Sequence, residues 1–208
     1  AVRESRPITV TDGYWNLGVK GDDFEVLFSK LYGGLVSYRY CGQEMVKRQP
    51  KPNFWRAMTE NDMASLQPFY SGDWKNASMF SSYKHEHGRK FRQPVVKVGE
   101  DFAQITYRYH LPVKPKKNVT VTYYINSDGW IDVTAKLPKS SDVGELPEFS
   151  MLFTMDSRYD RLRWYGKGPE ETYADRDHAR IGLFENRVAD NMARYLVPQE
   201  CGNHVDVR

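Results

Sequence analysis

The sequence predicts an all-β chain of antiparallel strands, and three observations carry that prediction. Ile105, Tyr107 and Tyr109 alternate with Thr106 and Arg108. Val119, Val121, Tyr123 and Ile125 alternate with Thr120, Thr122 and Tyr124, and Ile131, Val133, Ala135 and Leu137 alternate with Asp132, Thr134 and Lys136. A period of two puts each apolar set on one face of a strand. Between the second and third runs, Asn126-Ser127-Asp128-Gly129 supplies the residues a tight hairpin turn requires. Helical periodicity is almost absent, which points to a meander of antiparallel strands.

The remaining elements follow in chain order. Residues 1–7 are polar and end in Pro7, as a linker would, and residues 8–208 read as one β domain. Phe24, Val26 and Phe28 share one face of a strand, with Glu25 and Ser29 on the other. Gly33-Gly34 makes a turn and Leu35 to Tyr40 returns. Residues 52–91 are the least regular part: Phe54 to Ala57 reads as a buried strand ended by Asn61-Asp62, and Ser71 to Phe80 as a short helix containing Trp74, Lys75 and Met79. His85 and His87 are spaced to face one side of a strand, yet a metal site needs three or four ligands and no third is near, so they read as solvated. Phe149 to Met155 forms a further strand, and Arg161 to Tyr165 leads into a loop.

Composition excludes several functions. Lys and Arg number 30 against 27 acids, so the net charge of +3 is a small difference between mixed populations and not a nucleic-acid footprint. The short basic run Lys114 to Lys117 is a solvated turn. No apolar run reaches the ~18 residues of a membrane span. Cys41 and Cys201 are isolated and form no Cys-x-x-Cys pair, so free thiols are expected. The compartment, cytoplasmic or periplasmic, stays open.

The stretch around which the chain is organised is Trp164-Tyr165-Gly166-Lys167-Gly168-Pro169-Glu170-Glu171-Thr172-Tyr173-Ala174-Asp175-Arg176. Gly168 frees the backbone and Pro169 removes a donor, so a strand must end there. The acids that follow are too polar to bury unpaired, which predicts an ordered, hydrogen-bonded surface loop. A phosphate loop is excluded: a Walker loop needs Gly-x-x-x-x-Gly-Lys-Ser/Thr opening a helix, and a dinucleotide loop needs a third glycine.

This string resembles the Trp-Tyr-Gly-x-Gly-Pro-x-Glu-x-Tyr-x-Asp-Arg motif in the C-terminal part of β-galactosidases of glycoside hydrolase family two. Phe54-Trp55-Arg56-Ala57 followed by Asn61-Asp62 resembles a second segment of that family, and Pro198-Gln199-Glu200-x-Gly202-Asn203-x-x-Asp206-x-Arg208 a third, in the family's order. The resemblance implies a galactose-mutarotase-like antiparallel supersandwich, truncated at its C-terminus, from a parent that hydrolyses terminal non-reducing β-D-galactose residues with retention. It implies that both catalytic glutamates, and the ligands of the parent's magnesium and sodium ions, lie in a barrel domain outside this chain. The chain itself would then hold no catalytic residue and no cofactor. Its partners would be that barrel and the other parent domains, the β-galactoside reached through the parent, and other copies in a homo-oligomer, with no nucleic acid or membrane.

The resemblance also places a mobile loop at the substrate rim after the Asn-Asp pair, here Asn61, Asp62, Met63, Ala64 and Ser65. Ala64 stands where many members have glycine, which restricts the backbone. From the residues alone, Asn61 and Asp62 equally suit a strand end or a helix cap. Arg56, Trp164, Tyr165, Gly166, Gly168, Pro169, Glu171, Tyr173, Asp175, Arg176, Gln199, Glu200, Asn203, Asp206 and Arg208 are expected to brace long loops as paired polar and anchoring groups. Val205 to Arg208 alternates like a further strand. The rival function is a stand-alone carbohydrate-binding or aldose-epimerase-like sandwich, for which His178, His204 and Glu200 would be the acid and base groups.

Overall fold

The computed structural model of the chain describes residues 6–83, 93–139, 143–173 and 175–207. His85, His87 and Arg208 lie outside the described residues. Two compact units are present, one built from residues 1–56 and 69–156, the other from residues 57–68 and 157–208. The first is made chiefly of antiparallel strands and the second is built on an antiparallel ribbon, in agreement with the all-β prediction.

The first unit holds a five-stranded sheet ordered β1 (Thr9–Asp12), β2 (Asn16–Lys20), β3 (Phe24–Ser29), β4 (Leu35–Tyr40) and β5 (Gln43–Glu44). A four-stranded sheet runs in the order β10 (Ile131–Lys136), β9 (Lys117–Asn126), β8 (Phe102–Leu111) and β7 (Val95–Val98), and β6 (Arg48–Asn53) pairs with β11 (Ser150–Thr154). The three alternating runs of the sequence are the central strands β8 and β9 and the edge strand β10, with Tyr107 opposite Val121 and Val133 opposite Tyr123. The apolar faces of β8 and β9 meet the inner face of β2 and β3 in one core containing Leu17, Val19, Phe28, Ile105, Tyr107 and Tyr123. Phe28 lies 5.3 Å from the Tyr123 ring in an edge-on contact. Burying such a ring contributes roughly 1.5–3 kcal/mol. Burial pushes the Tyr123 phenol up to about 12, because an ionised ring would lose water there.

Ser29 is buried, against the alternation expected of it. The ladder to β2 runs unbroken through Ser29, opposite Asn16, and its Oγ accepts the Tyr32 N–H of the following turn at 2.9 Å. The Gly33-Gly34 turn has φ of +73° and +96°, and a Cβ at Gly33 would stand 2.6 Å from Tyr83. The irregular region differs from expectation at Phe54. Strand β6 stops at Asn53, because the Phe54 N–H goes to the Ser78 Oγ at 2.8 Å instead of to a neighbouring strand, while its ring stacks between Trp74 and Phe149. The expected helix is present as α3 (Gly72–Phe80), after the short α1 (Glu60–Ala64) and α2 (Gln67–Tyr70). Trp74 anchors it, buried and donating from Nε1 to the Gly144 carbonyl at 2.7 Å.

The second unit contains the ribbon β12 (Arg161–Gly168) and β13 (Arg180–Arg187), a 3-10 turn at Val188–Asn191, helix α1 and two long loops. Strand β12 ends at Gly168, before Pro169, as the missing donor requires. Val205 to Val207 is not a strand. Asp206 has φ of 55°, a left-handed conformation no strand residue adopts, and the Val205 N–H is taken by a side chain of another loop.

Candidate functional site

The Asn61-Asp62 part of one motif and the two later motifs converge in the second unit, while Phe54 to Arg56 belong to the first. Strand β12 presents Trp164 and Gly166 on one face, paired with Phe184 and Gly182 of β13. The Trp164 ring lies 5.5 Å from Phe184 and 4.7 Å from His204, and its Nε1 donates to the Lys167 carbonyl at 3.2 Å. Gly166 is required there: a Cβ would sit 2.6 Å from the Asp206 carbonyl oxygen and 2.8 Å from the Val207 Cα. Gly168 likewise faces Phe184 and Trp164 at close range. Tyr165, on the opposite face, is exposed, as is Pro169 at the strand end.

Beyond the strand, the loop from Glu171 locks onto the segment from Gln199 to Asp206. Thr172, 1% exposed, is the centre of the joint. Its N–H donates to the Asn203 carbonyl at 2.8 Å, its own carbonyl accepts from Asn203 Nδ2 at 3.0 Å, and its Oγ1 accepts the Val205 N–H at 2.8 Å. The Glu171 carboxylate accepts the Gly202 N–H at 2.7 Å, the Tyr195 hydroxyl at 2.5 Å and the Tyr173 hydroxyl at 3.2 Å. Burial alone would push this carboxyl up, but those donors and the nearby Arg176 charge outweigh it and hold it below the usual carboxylate range. Tyr173 also reaches the Glu200 carbonyl. Its phenol is pushed well above the ordinary range by burial, the Tyr195 hydroxyl and the Glu171 charge, so it stays protonated. Tyr173 and Arg176 exchange backbone hydrogen bonds at 3.0 and 3.1 Å, which folds the intervening turn, and Asp175 is exposed at its tip. Gln199 offers its carbonyl to the Cys201 thiol at 3.8 Å.

Lys167 lies between two acids, 2.8 Å from Asp177 and 3.0 Å from Asp206. The hydrogen bonds to Asp177 and then Asp206 raise the lysine, and the bond to Lys167 lowers Asp177. The Asn-Asp motif joins through its backbone: the Glu60 N–H donates to the Pro198 carbonyl at 2.9 Å. Asp62 is the third residue of α1 and closes a capping box, accepting the Thr59 N–H at 2.8 Å while the Thr59 Oγ1 accepts the Asp62 N–H at 3.2 Å. Asn61, Met63, Ala64 and Ser65 line the exposed side of this short helix and its end, and Leu66 follows with φ of 57°. Arg56 is half-buried and closes the first segment of the first unit.

Of the groups named for an epimerase, His204 packs on Trp164 with Nε2 3.5 Å from Asn191 Oδ1, and His178 is exposed. Among the described residues no group of three or more His, Cys, Asp or Glu could hold a metal ion, so no step is assigned to one. No helix of the described residues is long and apolar enough to cross a membrane. Thr59, Thr172 and Tyr195 are the contributors that reading the sequence missed. Only Thr59 left a signal, the Thr-x-x-Asp spacing of a capping box.

The family pattern described as β-galactosidase small chain matches residues 20–208. The chain is 38% identical over 96% of its length to the β-galactosidase BgaC of Bifidobacterium adolescentis, and 38% identical over 97% to a β-galactosidase of Halalkalibacterium halodurans. It spans 19% of the length of each. It is also 33% identical to the β-galactosidase small subunit of Latilactobacillus sakei, covering 97% of this chain and 67% of that protein. A pattern matched over nearly the whole chain, with these relatives, means that the chain belongs to the β-galactosidase small-chain family.

Proposed function

We propose that this chain is the non-catalytic β-sandwich part of a family-two glycoside hydrolase that removes terminal non-reducing β-D-galactose with retention. Retention requires two carboxyl groups ~5–5.5 Å apart, one a nucleophile and one an acid with a raised pKa. The observation that carries the reading is the hydrogen bonding of Glu171. Three donors occupy it and its pKa is held down, the reverse of what a proton donor needs. Asp177 and Asp206 are engaged with Lys167. These acids fix loops. The small share of the relatives' length that the chain spans supports placing the reacting carboxylates elsewhere.

The second unit, in this reading, supports the catalytic barrel, and the segment Asn61–Ser65 is lent to the rim of the active site. The chain alone is expected to show no turnover of a nitrophenyl β-galactoside; turnover lost on mutating one of its own carboxylates would overturn the reading. In the complete enzyme, Asn61→Ala is expected to raise KM with kcat little changed, as for a residue contributing uniform binding. Unchanged kinetics would remove the rim assignment and leave the structural one.

A further inference from the structure

The tip of the β9–β10 hairpin in the first unit is more rigidly built than a turn requires. Asn126 Oδ1 accepts the N–H of both Asp128 and Trp130 at 3.0 Å, and the Asn126 N–H donates to the Trp130 carbonyl at 3.1 Å. Gly129 has φ of 82°, and a Cβ there would stand 2.8 Å from the Phe24 ring, while its carbonyl accepts the Tyr38 hydroxyl at 2.9 Å. This frame holds the Trp130 side chain 66% exposed, a large apolar surface kept in water.

Two adjoining hollows share Trp130, Tyr40 and Asp128 on their walls. One, of about 490 Å³, is apolar, formed by Leu35, Pro50, Ile131, Val133, Met151 and Phe153. The other, of about 270 Å³, is polar, with Arg6, Asp22, Asp23 and Ser127 on its walls. Arg6 and Asp22 are paired at 3.1 Å across it. Their sizes are in or near the ~300–1,000 Å³ range of small-ligand sites, and such sites are mostly apolar with a few placed polar groups.

We propose that this paired hollow binds a small glycoside with an apolar aglycone, the pyranose ring over Trp130 and the aglycone in the apolar hollow. A pyranose presents a face of C–H groups, which stacks on an indole, and a rim of hydroxyls, which donate to carboxylates and accept from a guanidinium. Among the described residues, the carboxylates of Asp22, Asp23 and Asp128 beside Arg6 disfavour an anion. A divalent cation is disfavoured too, since the acids of the described residues form no cluster close enough to hold one. The site is independent of the catalytic reading, because none of its residues belongs to the second unit.

The test is titration of the isotope-labelled 208-residue chain with phenyl β-galactoside, galactose and phenol, following the Trp130 indole N–H by NMR. The glycoside is expected to shift that signal with a dissociation constant on the order of 1 mM, with galactose and phenol each at least about tenfold weaker. Trp130→Ala and Asp128→Asn should each weaken the glycoside about tenfold or more while leaving the β8–β9 amide signals in place. Overturning results are phenol binding as tightly as the glycoside, a Trp130 signal that the glycoside leaves unmoved, or a folded Trp130→Ala chain that binds like the wild type.

Discussion

Replacing Thr172 with valine keeps the shape of a fully buried side chain and exchanges one group, putting a methyl where Oγ1 accepts the Val205 N–H at 2.8 Å. Losing a neutral bond costs about 0.5–1.5 kcal/mol, and stranding a buried donor about 1–3 kcal/mol. Val205 is only half-buried, so water partly compensates, and the expected cost is roughly 1.5–2 kcal/mol. Serine keeps the oxygen and loses one methyl, for about 0.8–1 kcal/mol. The order of stability should therefore be Thr, then Ser, then Val, whereas hydrophobic burial alone would put Val first and Ser last. The loop joint opens locally, so native-state hydrogen exchange at Val205 and Asn203 is the direct assay. Thr172→Val should speed exchange there roughly ten- to thirtyfold and leave residues 119–125 unchanged. If Thr172→Val matches the wild type, or is more stable than Thr172→Ser, the hydroxyl is not what ties the two loops together.

Glu171, with its lowered folded pKa, contributes stability that is complete above its ordinary 4.5 and lost as pH falls through the folded value; Glu171→Gln should flatten this acid dependence of exchange at Gly202, and an unaltered profile would count against the hub. The Lys167 group behaves the same way on two sides: the lowered Asp177 loses its contribution as pH falls below about 3.8, and the raised Lys167 loses its own as pH rises above about 10.5. Because these charges are partly exposed, Asp177→Asn should matter less at high salt, and urea midpoints at two ionic strengths measure it. Gly166→Ala places a Cβ against backbone of the Asp206 segment and should cost about 1–3 kcal/mol, lowering the urea midpoint of the second unit. In the first unit Phe28→Ala should cost about 3–5 kcal/mol by cavity formation, since its ring is fully buried.

The β8–β9–β10 meander was legible because each strand's pairing is with its sequence neighbour and its period is uninterrupted. Where a single residue broke the period the reading failed. The left-handed Asp206 turned a four-residue alternation into a bend, and Ser29 is buried where its Oγ takes the Tyr32 N–H of the next turn. Phe54 was rightly placed in the interior but wrongly in a strand, because its backbone donor is satisfied by Ser78, and a side chain in a distant helix leaves no local pattern. The motif loop's polarity did announce a hydrogen-bonded structure. Thr172 was invisible within it, since its partners Asn203 and Val205 lie 31 and 33 residues away and nothing about a threonine between Glu and Tyr distinguishes it. Tyr195, 24 residues from the carboxylate it holds, was hidden for the same reason.

The second unit is made of two stretches of chain separated by most of the first, and that division has a temporal side. On the ribosome, α1 emerges long before Pro198, whose carbonyl receives the Glu60 N–H. At ~5–20 residues per second the delay is on the order of 10 s, far beyond the time a helix needs to form or melt. A five-residue helix does not persist in water on its own capping box. During that interval α1 is an unfolded strap, and synthesis of the first unit runs ahead of it. Closure of the second unit therefore waits on the segment around Pro198, so a stalled or nicked chain that lacks residues beyond about Gln199 should keep its sandwich while α1 is open to protease.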